Sequence, residues 1–342
     1  MRRILVVLSI VGSLLVGGSA TAASTKAAPL PSLQLVEMFP APDVVGRLDH
    51  ITLDPNHIRF FVSGLGNDSI EVFDFSKAKW IMSIKGMNEP KGILYLPEYQ
   101  KLFSANVGDG TLKVMDNSYH VIRTIVIGKE ADYLRYDPVS KKIITSFGDS
   151  KDAGGLLLID PATYETTTIK LDAPAEDFAI EETGRYIYAN LHSSSATQVI
   201  DRTTGKLTRW DYPNAKRPTP MALNAAEHRL YVAARGPSDL LVIDTETGKE
   251  ITRVPLGGIS ADLLFDSSAK RLYNINSAGY INVIQERDPD HYEALENVPT
   301  AIGARTGYLV PAINRLMVAV PAYGERPAGL WEYQTNTFSR AK

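Results

Sequence analysis

The chain has 342 residues, 44% hydrophobic and 22% charged, with 36 Lys and Arg against 39 Asp and Glu. The net charge of −3 gives no general pull toward phosphate backbones, and the ordinary hydrophobic content excludes a disordered chain. The complete absence of Cys excludes disulfides, thiol catalysis, thiolate metal sites and covalent haem attachment, so an exported form needs a large core or a closed architecture for stability.

Arg2 and Arg3 precede an apolar run, Ile4 to Val16, and small residues follow in "SATAAS" (19–24). This pattern predicts a secretory signal peptide over residues 1–23 and a periplasmic or secreted location. The alternative is an N-terminal membrane anchor, but the run is shorter than the roughly 20 residues that a span needs. No Cys follows that could carry a lipid. Removing the segment takes two of the 36 basic residues and no acid, so 34 remain against 39 acidic. Residues 24–32 read as a flexible leader, and residues 33–342 as one β-domain.

From there the chain repeats itself. A first strand ends in each unit at Asp54, Leu96, Asp137, Glu181, Asn224, Asp266 and Val310, spaced 41 to 44 residues apart. A basic residue opens the next strand: Arg59, Lys101, Lys142, Arg185, Arg229, Arg271 and Arg315. A third strand ends in Asp in five units (Asp74, Asp116, Asp160, Asp201 and Asp244). Each of these Asp residues is expected to bond backbone N–H groups of the following turn. A fourth apolar stretch follows most of them. Four short strands per unit of roughly 40–50 residues predict an all-β, seven-bladed β-propeller with four-stranded blades. The seventh unit has only three strands. Leu33–Phe39 is expected to supply its outer strand and close the ring, with Thr337–Ala341 as the rival. "GDSKDAGG" (148–155) reads as a flexible loop, and "YGERPAG" (323–329) as a longer loop able to reach over a ligand.

The strings "LFSANVGDGTLKVMD" (102–116) and "LYVAARGPSDLLVIDTETGKEITRVPLG" (230–257) resemble the YVTN-type β-propeller repeat. Over about residues 33–334 the chain is similar to the YncE-like exported proteins of bacteria. The resemblance implies an exported seven-bladed propeller and brings no general catalytic motif. Related propellers include metal-dependent lactonases and quinoproteins. The quinoprotein pattern needs a recurring Trp, and this chain has three Trp.

In a propeller, the loops entering the innermost strands surround one mouth of the central channel. Five residues before each first-strand end stand Asp49, Lys91, Asp132, Glu176, Thr219, Ala261 and Arg305, followed by His50, Gly92, Tyr133, Asp177, Pro220, Asp262 and Thr306. Second-strand ends add Asn106, His192 and Arg235. The candidate ligand-binding set is therefore Asp49, His50, Lys91, Asp132, Glu176, Asp177, His192, Arg235, Asp262 and Arg305. Within it, Asp49, His50, Asp132, Glu176 and Asp262 have the donor chemistry for a divalent cation, Ca²⁺ or Zn²⁺. Lys91 and Arg305 suit an anionic group.

The leading expectation is a monomeric, non-catalytic module that binds a small molecule or an exported protein at this face, without transmembrane segment or general nucleic-acid affinity. The alternatives are a metal-dependent hydrolase or lactonase, and a purely structural scaffold with polar channel residues that pair among themselves.

Overall fold

A computed structural model describes residues 31–129, 131–150 and 153–336. The expected signal peptide, most of the leader and the rival tail Thr337–Ala341 lie outside these residues. Seven antiparallel sheets of four strands each follow one another in chain order, so the protein is a seven-bladed β-propeller.

Blade 5 shows how the repeat builds a blade. Its strands are Lys216–Asn224, Arg229–Gly236, Ser238–Asp244 and Glu250–Pro255. In the second of these, "RLYVAARG", Leu230, Val232 and Ala234 pack toward blade 4 with Tyr188 and Val199. The alternate residues Tyr231 and Ala233 pack toward blade 6 with Leu272 and Ile284. The strand is apolar on both faces because it lies between two neighbouring sheets. The same arrangement recurs at all seven blade junctions, each filled by its own apolar cluster.

The five repeat Asp residues each accept a hydrogen bond from a turn N–H two or three residues on, as in Asp201 with Thr203 N and Asp244 with Thr247 N. These turns reverse the chain between the third and outer strands.

Blade 7 takes its outer strand from the start of the domain. Leu33–Ala41 pairs antiparallel with Ala328–Thr335, from Leu33↔Thr335 to Ala41↔Ala328. This is the expected closure, extended by two residues. The propeller's contacts extend to residues before Leu33. Ser32 N donates to Glu296 Oε1 at 2.6 Å, and Asn336 Nδ2 donates to Pro31 O at 2.9 Å. Residues 31 and 32 thus belong to the propeller and not to a flexible leader.

Residues 148–150 and 153–155 differ from the expected loop: strands Lys142–Ser150 and Ala153–Ile159 pair up to Ser150↔Ala153. No helix among the described residues is long and apolar enough to cross a membrane.

Candidate functional site

The residue five before each first-strand end reaches the same place in every blade, because each inner strand enters from the same side of the ring. Asp49, Lys91, Asp132, Glu176, Thr219, Ala261 and Arg305 all line one half-open cavity of about 160 Å³ at the channel mouth. His50, Tyr133 and Thr306 line it from the next position, Arg235 from the end of the "RLYVAARG" strand, and Arg47 from the loop before blade 1.

Its charges are partly paired. His50 Nε2 lies 3.1 Å from Asp132 Oδ1 and 3.8 Å from Asp49 Oδ1. Lys91 Nζ donates to Asp132 Oδ2 at 3.4 Å. Arg47 Nη2 lies 2.6 Å from the buried Asp49 Oδ2. Arg235 donates through Nε and Nη2 to Ser260 O, at 3.3 and 3.2 Å. Arg305 has no ion-pair or hydrogen-bond partner among the described residues.

Burial and these contacts set the protonation. Burial works against a charged His50, but the hydrogen bond to Asp132 and the charge of Asp49 outweigh it and raise its pKa. Burial pushes the Asp49 carboxyl up. For Asp132, burial is outweighed by the His50 hydrogen bond and by Lys91, so its carboxyl sits below the ordinary range. Arg235 and Arg305 are both lowered, first by desolvation. For Arg235 the charges of Arg217 and Arg305 add to this, and for Arg305 that of Arg47.

No protein-family model matches the chain. The uncharacterized protein YncE of Escherichia coli O157:H7 is 26% identical over 177 residues, which is 47% of this chain and 50% of that protein. Over this stretch the β-propeller is similar to YncE. It spans about half the length of that curated relative in the match. Among solved structures, one titled Kuenenia stuttgartiensis Hydrazine Synthase superposes with a TM-score of 0.69 at 17% identity, covering 83% of this chain and 94% of that one. A chain of a Mitotic Checkpoint Complex crystal structure gives a TM-score of 0.70 at 11% identity, with 94% and 98% covered. These two likenesses concern the fold alone.

Two of the acids expected at the mouth of this propeller do not line the cavity. Asp177 accepts hydrogen bonds from Phe178 N, from Met221 N of blade 5 and from Arg135 Nη1. Asp262 accepts from Leu263 N and from Gly307 N of blade 7. Both join neighbouring inner strands at the same position of the repeat. Asn106 is likewise a cap, donating to Ser104 O and Thr111 O and accepting from Asn88 N. His192 opens the turn His192–Ser194, and its side chain is not among those described. The 323–329 loop folds on itself through paired Tyr323 and Arg326 backbone bonds, and none of its residues lines the cavity.

Below the mouth, aromatic rings and a guanidinium stack together. The His50 and Tyr133 rings lie 4.1 Å apart. The Arg135 guanidinium sits 4.3 Å over Tyr133 and 5.1 Å over Phe178. On the far side, at the other ends of the inner strands, a second opening of about 490 Å³ has Leu94, Tyr136, Leu223, Leu264 and Phe265 in its wall, together with Arg135 and Glu182. It shares no lining residue with the charged mouth.

Sequence indexing missed Arg47. It stands seven residues before Asp54, as Arg217 stands seven before Asn224. Carrying the register two places further back would have found Arg47.

Proposed function

We propose that this propeller is a non-catalytic binding module, and that its charged channel mouth takes a small anionic ligand. The observation that carries the reading is Arg305. It is a half-buried guanidinium without a partner among the described residues, in a cavity it shares with Arg47, Lys91 and Arg235. The charge of Asp49 acts on Arg305, but a partly desolvated cation that makes no hydrogen bond is costly, and an anion that accepts its hydrogen bonds lowers that cost. The cavity's size, on the order of ten water-sized positions, suits a compact molecule. The apolar run at residues 4–16 supports action outside the cytoplasm.

The second reading is metal-dependent hydrolysis. It is favoured by Asp49, His50 and Asp132, which offer ligand atoms within 4.8 Å of one another. The donor set fits a divalent cation poorly. Arg47 already pairs with Asp49 and Lys91 with Asp132, so the ion would lie against two positive groups. Asp262, the fifth expected ligand, is committed to backbone N–H groups.

Calorimetric titration of the full chain with acetate and with inorganic phosphate tests the proposal. Saturable binding that Arg305→Ala weakens about tenfold or more is the expected result. Equal affinity in the variant, or stoichiometric uptake of calcium or zinc that Asp132→Asn abolishes, would overturn it.

A further inference from the structure

Arg135 comes from the inner strand of blade 3, Leu134–Asp137, and its neighbours engage only part of it. Nη1 donates to Asp177 Oδ1 at 2.8 Å. The Tyr133 and Phe178 rings pack against the guanidinium. Nε and Nη2 make no hydrogen bond among the described residues, and neither is closed off from solvent. Arg135 lines the far opening, whereas Asp177, Tyr133 and Phe178 do not. The two free donors are therefore the part of the group that a molecule entering from the far side can reach.

The positive charge of Arg135 is already balanced. Asp177 is buried and accepts from Arg135 and from two backbone N–H groups, an environment that holds a carboxylate. The charge of Asp262 acts on the same guanidinium. The other charged residue of the wall is Glu182, which is exposed. An acid would bring a further negative charge past Glu182 to a cation that Asp177 has neutralised, and an ammonium group would meet Arg135 itself. Both are unfavourable in a partly desolvated space. What remains on offer is hydrogen-bond donation without net charge. Around it, Leu94, Tyr136, Ile180, Leu223, Leu264 and Phe265, from blades 2 to 6, are each only half-buried. Covering them with an apolar body supplies affinity. The volume of about 490 Å³ falls within the roughly 300–1,000 Å³ of small-molecule sites, where a few polar groups fix orientation against an apolar wall.

We propose that the far opening is a second ligand site, separate from the charged mouth, and that it takes a small apolar ketone or ester whose carbonyl oxygen accepts from Arg135 Nε or Nη2. Such a molecule brings an acceptor, no net charge and no donor of its own to leave unpaired. Its apolar body lies against the half-buried side chains of blades 2 to 6.

The test is calorimetry of the full chain with three probes of similar size: methyl hexyl ketone, octanoate and octylammonium. The ketone should bind saturably, and about tenfold or more tightly than either ion. Arg135→Met should weaken the ketone about tenfold. Thermal melting establishes that each variant is folded. Arg135→Met leaves Asp177 without its cation, so if it does not fold, Ala222→Phe takes its place. That variant fills the opening, keeps the Arg135–Asp177 pair and should abolish ketone binding. Arg305→Ala, at the charged mouth, should leave ketone affinity within about twofold, so that failure of this site and failure of the anion site are distinguishable. No saturable ketone binding, either ion binding as tightly as the ketone, or ketone affinity unchanged by the folded variant of the opening would overturn the proposal.

Discussion

Asp262 accepts hydrogen bonds at 3.0 Å from Leu263 N and at 3.0 Å from Gly307 N, one in its own blade and one in the next. Asp177 does the same between blades 4 and 5. Asp201 and Asp244 instead cap turns between third and outer strands, and Asp49 and Asp132 face the channel mouth. One residue type thus has three uses, separated by position in the repeat. The turn use was legible from spacing alone. The mouth and junction uses were not separable, because adjacent residues of a strand point to opposite faces and the sequence does not say which face meets the channel. Asp262 makes the junction use testable. Burial pushes its carboxyl up to about 6. A raised folded-state pKa favours folding at low pH, and that advantage is lost as pH rises from the ordinary carboxylate range through about 6. Asp262→Asn keeps an acceptor for both N–H groups and removes the charge, so denaturant titrations should show it losing less stability than the parent across that window. Asp262→Ala leaves buried N–H groups unsatisfied and should cost about 1–3 kcal/mol. Equal stability of all three proteins at both ends of the window would refute the junction role.

Among the elements, the outer strands share a feature that repeat spacing alone did not reveal. Five of them carry a β-bulge against the third strand, and the extra residue is aliphatic each time: Val36, Ile81, Ile122, Ile251 and Leu295. Four of these are exposed. A bulge twists an edge strand away from regular pairing, which explains apolar side chains at the rim without a partner protein. The ring-closing strand was legible, because the seventh unit ran out of chain while an unassigned strand pattern stood before the first. Its value depends on what it buries. Phe39 is fully buried between blades 7 and 1, among Phe60, Met317 and Leu330. Phe39→Ala should destabilise the protein by about 3–5 kcal/mol, a large part of a typical folding free energy of about 5–15 kcal/mol. Chemical denaturation reads this directly. A loss below about 1 kcal/mol would mean that the closing strand contributes little.

At the scale of the whole molecule, seven junction clusters make a continuous ring whose inner strands all run the same way. Parallel delivery gives the two mouths different chemistry. Five of the seven blades bring a charged residue to one mouth at the start of the inner strand, and the opening at the other ends of the inner strands has mainly apolar residues in its wall. Periodicity was enough to place the ring residues at one mouth, because the same offset in each repeat lands at the same height. It could not show the His50–Tyr133–Arg135 stack below the mouth, nor which cations stay unpaired, since both depend on side-chain reach across blades. The account stands on the claim that the charged mouth holds an anion against Arg305 and Arg235. Crystals grown with sodium selenate and measured at the selenium edge test this most directly. An anomalous peak within hydrogen-bonding distance of both guanidinium groups, absent in Arg305→Ala crystals, is the predicted result. An empty mouth in crystals that hold selenate elsewhere would contradict it.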